Sequence, residues 1–150
     1  MKLIIDTNIV FSAILNTNSK IGDLILNSED ILEFYSASYL KEEIENHKEK
    51  LSEISNLTKQ EIELIKVQIY SKIQFISEDI IPFEYWKKAV EFVRDVDMDD
   101  IAFVTLSLFM ENTPIWTGDE KLRTGIQKKG FKDILSTPDI IRLRNELEKK

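Results

Sequence analysis

The chain has 150 residues, enough for one domain that buries a core without disulfides or a structural metal. It holds no cysteine and one histidine, His47, so thiolate zinc sites, disulfide scaffolds and cysteine nucleophiles are excluded. A formal net charge of −7 argues against a passive nucleic-acid binder, which is usually basic, but not against an enzyme whose carboxylates are offset by a bound cation.

Leu3, Ile4 and Ile5 form a short β-branched run that predicts a buried strand, ending at the turn-formers Asp6, Thr7 and Asn8. Ile9 to Leu15 reads as a short helix, and a second helix follows Ser19 with Ile21, Leu24, Ile25 and Leu26. Ile31 to Tyr35 predicts a strand. Ser38 is placed to cap a helix running to about Leu51, on which Leu40, Ile44, His47 and Leu51 form one apolar stripe. Thr58 and Glu61 make a capping box for a helix with Ile62, Ile65 and Ile69 on one side. A weak strand, Gln74 to Ile76, comes next. Pro82 opens a helix through Trp86 and Val93, and Asp97 opens a nearly all-apolar helix from Met98 to Met110. Ile115 to Thr117 is a strand, Glu120 to Lys129 a helix stopped by Gly130, and Thr137-Pro138 begins a last helix ending in Lys150. The alternation predicts a three-layer α/β/α fold, a mostly parallel sheet covered on both faces. No repeat or linker divides residues 1–150, so one domain is expected. Nothing resembles a signal peptide or a transmembrane stretch, and the expected compartment is the cytoplasm.

In open parallel sheets ligands gather at the carboxyl ends of strands. Asp6 ends the first predicted strand, and Asp119 follows the Ile115 strand after Thr117 and Gly118. Each alone also reads as a helix cap. Glu43 lies roughly 70° from the centre of its helix's apolar stripe, at its edge, whereas Glu42 and Glu45 face water. Asp97, Asp99 and Asp100 put three acids in four residues, more than capping one helix requires. Two carboxylates about 4 Å apart repel by roughly 4 kcal/mol at an effective dielectric of 20, so a convergent set needs protons or a divalent cation. His47, on the apolar stripe, is expected to be partly buried rather than catalytic.

The segments Ile4-Ile5-Asp6-Thr7-Asn8, Tyr39 to Ile44, Asp97 to Phe103, and Trp116 to Leu122, in this order and spread over residues 3 to about 135, resemble the PIN-domain nucleases. The resemblance implies that Asp6, Glu43, Asp100 and Asp119 meet as an acidic cluster for Mg2+ or Mn2+, with Asn8 and Thr117 as polar neighbours. Asp97 matches an acid of some members, either ligand or cap. It further implies hydrolysis of an RNA backbone and, for small single-domain members, the VapC-like toxin half of a toxin–antitoxin pair with an antitoxin protein as partner. Where many members carry alanine, this chain has Ser107. Lys121 and Arg123, with Lys128, Lys129 and Lys132, are candidates for RNA phosphates, although Lys128 and Lys129 read equally well as a solvated face. Two alternatives stay open: a non-catalytic PIN-like module that docks a protein, and a Mg2+-dependent phosphatase of the haloacid-dehalogenase type. The latter's Asp-x-Asp motif is interrupted here by Asn8. A homodimer through Phe11, Ile14 and Leu15 of the first helix is a further expectation.

Overall fold

The computed structural model describes residues 1–28 and 30–149; Lys150, expected to end the last helix, lies outside the described residues. Among the described residues the strands form one five-stranded, all-parallel sheet in the order β3-β2-β1-β4-β5. The strands are β1 (Lys2–Ile5), β2 (Glu33–Ala37), β3 (Ile73–Ile76), β4 (Ile115–Trp116) and β5 (Ile134–Leu135). Helices cover the sheet: α1 (Thr7–Leu15), α2 (Lys20–Leu26), α3 (Tyr39–Asn46), α4 (Lys48–Ser55), α5 (Lys59–Tyr70), α6 (Phe83–Val93), α7 (Ile101–Phe109), α8 (Glu120–Gln127) and α9 (Thr137–Glu148). Two single 3-10 turns, Glu78–Ile80 and Met98–Asp100, precede α6 and α7. The fold is the expected three-layer α/β/α arrangement.

β1 sits at the centre because it is apolar on both faces: Leu3, Ile4 and Ile5 are fully buried. It pairs with β2 on one side and β4 on the other, so successive strands leave it in opposite directions. This is the arrangement that opens a crevice at the strands' carboxyl ends. α7 also lies inside, with Phe103, Val104, Thr105, Leu106 and Ser107 buried. Its two hydroxyls are satisfied: Thr105 donates to the Ile101 carbonyl at 2.7 Å and Ser107 to the Thr113 carbonyl at 2.6 Å. The serine at position 107 is therefore accommodated by a bond to the loop that follows the helix.

Several boundaries differ from expectation. The helix expected from Ser38 to Leu51 is two helices. His47 adopts φ −109° and ψ 18° between them, and its ring is exposed rather than partly buried, edge-on to Phe11 at 6.5 Å between centroids. Ser38 does not cap with its side chain; its hydroxyl donates instead to the Ile76 carbonyl at 3.3 Å, tying α3 to β3. β5 was not foreseen. On the first helix Ile14 is fully buried, and Phe11 and Leu15 are half-buried and pack against the core. Among the described residues, no helix is long and apolar enough to cross a membrane.

Candidate metal centre

Each acid is delivered by the backbone feature its sequence dictates. Asp6 follows β1, whose end is held on both sides: the buried Ser36 hydroxyl donates to the Ile5 carbonyl at 2.7 Å, and the Asp6 amide donates to the Trp116 carbonyl at 3.4 Å. Asp6 then caps α1, its Oδ1 accepting from the Ile9 amide at 3.1 Å. Its other oxygen, Oδ2, is buried and has no hydrogen-bond partner of good geometry. The whole residue is only 2% exposed.

Asp119 repeats the arrangement one strand away. Its Oδ1 accepts from the Leu122 amide at 3.0 Å and caps α8, while its own amide donates to the buried Thr117 hydroxyl at 3.0 Å. In both residues capping uses one carboxylate oxygen and leaves the second free. Asp97 caps the 3-10 turn, its Oδ1 accepting from the Asp99 amide at 2.9 Å. Asp100 stands at the N-cap position of α7 but makes no side-chain cap bond, so its carboxyl has no local structural use.

These four arrive in one place. Asp97, Asp100 and Asp119 each offer a carboxylate oxygen, and those three oxygens lie within 4.8 Å of one another. Asp6 and Glu43 stand beside this triad rather than inside it, close enough that their charges are felt at Asp100. Burial, followed by the charges of Asp6, Asp97, Asp119 and Glu43, pushes the Asp100 carboxyl up to about 8. Asp6 is pushed up to about 6, first by burial and then by Asp119 and Glu43; the Thr117 hydroxyl and the Ile9 amide offset part of the rise.

Glu43 is half-buried, as its place on α3 beside the buried Leu40 and Ile44 requires. Burial raises its pKa, a rise to which Asp99 and Asp97 add, while the Thr7 hydroxyl, donating to Glu43 Oε1 at 2.6 Å, opposes it. Thr7 was not among the sequence candidates. Its signal was its place at the first helical position after Asp6, one turn-forming residue ahead of the Asn8 singled out instead. Asn8 is exposed. Asp99, also exposed, contributes charge to Glu43, and the Tyr39 hydroxyl is raised in pKa chiefly by Glu43 and then by burial and Asp99, so both face the same cluster.

The basic candidates lie on α8 and in the segment that follows it. Lys121 is exposed on the first turn of α8; Arg123 is half-buried, with its charge felt at Asp139 of α9. Lys129 donates to the Arg94 carbonyl, and Lys128 and Lys132 are exposed.

The donor set is all oxygen, with the buried Asp6 carboxylate beside it, which is the chemistry that hard divalent cations take. Three raised carboxyl pKa values, at Asp100, Asp6 and Glu43, fit the same reading, since clustered acids hold protons where no cation balances them. The residues present therefore fit Mg2+ or Mn2+.

Comparison with known proteins agrees on the frame. Among solved structures the fold is similar to a chain in the crystal structure of VapBC2 from Rickettsia felis bound to a DNA fragment from their promoter, with a TM-score of 0.65 and 14% identity. The match covers 91% of this chain and 97% of that one. No curated protein sequence matches the chain. The PIN domain family matches residues 4–138, which takes in the end of β1, the four acids and the start of α9, and the chain belongs to the PIN-domain family.

Proposed function

We propose that the protein is a divalent-metal-dependent ribonuclease that hydrolyses phosphodiester bonds, acting as the toxin of a bacterial or archaeal toxin–antitoxin pair. The observation that carries this reading is the Asp97, Asp100 and Asp119 triad, closed within 4.8 Å beside the unpartnered Asp6 Oδ2. Asp6, Asp100 and Asp119, with Asp97, would hold Mg2+ or Mn2+, and Glu43 completes the cluster. A bound ion of this kind lowers the pKa of water and stabilises charge on phosphate oxygens. The chain's part is positioning. Backbone amides at Ile9 and Leu122 fix one oxygen each of Asp6 and Asp119, and the Thr7 hydroxyl fixes Glu43. Asn8 and Thr117 are its polar neighbours, and Lys121 and Arg123 are proposed to meet RNA phosphates.

The similarity to a chain of a VapBC2 assembly supports an antitoxin protein as the partner, and the whole chain, residues 1–150, as one such domain. A cytoplasmic location follows from that reading. Purified protein with Mn2+ should degrade single-stranded RNA, and Asp6→Asn should abolish the activity. Asparagine still caps a helix well, so the variant is expected to fold. Equal cleavage by the variant would assign the activity to another site or to a contaminant. A small phosphomonoester should release no phosphate above background; release would favour the phosphatase reading.

A further inference from the structure

A cavity of about 280 Å³ opens beside the acids, lined by Tyr39, Glu42, Glu78, Trp86, Ile101 and Ala102. It is continuous with the acid cluster through the chain itself. Ile101 and Ala102 directly follow Asp100, Glu42 adjoins Glu43, and Glu43 is the largest influence on the Tyr39 hydroxyl. Its walls are of two kinds. Tyr39 and Trp86 supply flat aromatic surface, above the aliphatic Ile101 and Ala102. Phe83, one turn before Trp86 on α6, is 75% exposed. An apolar, aromatic wall open to solvent beside a backbone-cleaving site is what an unpaired nucleobase stacks on.

The charged groups of the lining are both carboxylates, Glu42 and Glu78. Glu78 Oε1 accepts from the Tyr39 amide at 2.6 Å, which fixes that side chain across the cavity wall. Glu42 is exposed and has no hydrogen-bond or ion-pair partner among the described residues. None of the six lining residues is a cation. A base edge that pairs with Glu42 must therefore offer N–H donors. Guanine offers two side by side, N1–H and the 2-amino group, and a carboxylate accepts both in parallel, as it does from an arginine fork. Adenine and cytosine place a ring acceptor next to their single amino group, which would face the carboxylate unfavourably. Uracil flanks its one N–H with two carbonyls.

Resting on the ribonuclease reading, we propose that this cavity takes an unpaired guanine of the RNA strand near the cut, stacked on Tyr39 and Trp86, with Glu42 reading its Watson–Crick edge. The site would thus set sequence preference, with Glu42 as a specificity residue outside the metal cluster.

Two readouts test it. The first is cleavage, with Mn2+, of oligouridylates that carry one guanine, adenine or cytosine. The wild type should cut at a fixed offset from guanine and prefer that substrate about tenfold in kcat/KM, the discrimination of one good bidentate contact. Glu42→Gln should lower the guanine substrate to the level of the adenine one, and Trp86→Ala should raise KM for all three. Equal cutting of the three by the wild type, or an undiminished preference in Glu42→Gln, would overturn the proposal.

The second readout needs no catalysis. The chain has two tryptophans, and Trp116 is fully buried with its indole N–H on the Thr137 hydroxyl, so a ligand at this cavity acts on Trp86 emission. In EDTA the dinucleotide GpU should quench that emission and ApU should not, and Trp86→Phe should remove the effect. If no RNA is cut at all, the ribonuclease reading fails by itself, and this titration still decides the cavity. Quenching by GpU alone supports a guanine site; no quenching, or the same from ApU, overturns it.

Discussion

Thr7 shows how a single hydroxyl links the first strand to the chemistry of a distant helix. Its bond to Glu43 at 2.6 Å spans 36 positions in sequence and holds a carboxylate whose burial would otherwise favour the neutral form. A hydrogen bond to a charged group is worth about 1.5–3 kcal/mol. In the ribonuclease reading Thr7→Val should therefore lower kcat about tenfold with little change in KM, and Thr7→Ser should restore it. Steady-state kinetics on one RNA substrate checks this, and a variant with unchanged kcat would remove Thr7 from the account. The acids divide their two oxygens in the same economical way. Asp6 and Asp119 each give one oxygen to a helix amide and keep one free. This is why reading them as caps and reading them as ligands were never in conflict.

At the scale of elements, α8 positions the acid loop by pressing on it. A Cβ added to Gly125 would lie 2.7 Å from Val96 Cγ1, and Val96 directly precedes Asp97. Gly125→Ala must push Val96 aside, and overpacking of this kind costs about 1–3 kcal/mol. The variant should melt lower and bind Mn2+ more weakly, although it touches no acid. Thermal melts with and without Mn2+ would check both effects, and unchanged metal affinity would detach α8 from the site.

The elements also show what local sequence encodes and what it does not. β1, the Thr58–Glu61 capping box and the α6 start after Pro82 were legible because each carries its own signal: a β-branched run, a reciprocal cap, a fixed φ. β5 has two residues, Ile134 and Leu135, too few for any periodicity, and exists because β4 offers an edge to pair with. The break at His47 was hidden because the apolar stripe from Leu40 to Leu51 continues in register across it. Ser38 read as a cap, yet its hydroxyl bonds Ile76, thirty-eight residues on, a partner no local pattern reveals. Among the acids, Asp6 and Asp119 were legible from their places after strands. Asp97 was legible only as either ligand or cap, and its place with Asp100 and Asp119, like the Thr7 bond to Glu43, required the tertiary fold.

The whole molecule collects negative charge at the carboxyl ends of a parallel sheet's strands, and its stability should record this. An Asp100 carboxyl raised to about 8, against an ordinary 3.8, means the folded state keeps a proton that the unfolded chain releases. The folded state thus binds more protons between those two values, so this group's contribution to stability falls as pH rises through that window and levels off above about 8. Asp6, raised to about 6, adds the same sign over a narrower range. A divalent ion reverses the penalty, because it binds the deprotonated acids. An ion at about 100 times its Kd stabilises the fold by about 2.7 kcal/mol.

The most direct measurement is the Tm of the wild type and of Asp100→Asn at pH 5.5 and 8.5, in EDTA and with saturating Mn2+. In EDTA the wild type should melt lower at pH 8.5 than at 5.5. Mn2+ should raise its Tm by several degrees, and more at the higher pH. Asp100→Asn should show a flatter pH dependence and lose most of the Mn2+ shift. A wild type at least as stable at pH 8.5 as at 5.5 in EDTA, and indifferent to Mn2+, would contradict a carboxylate cluster built to hold a divalent ion.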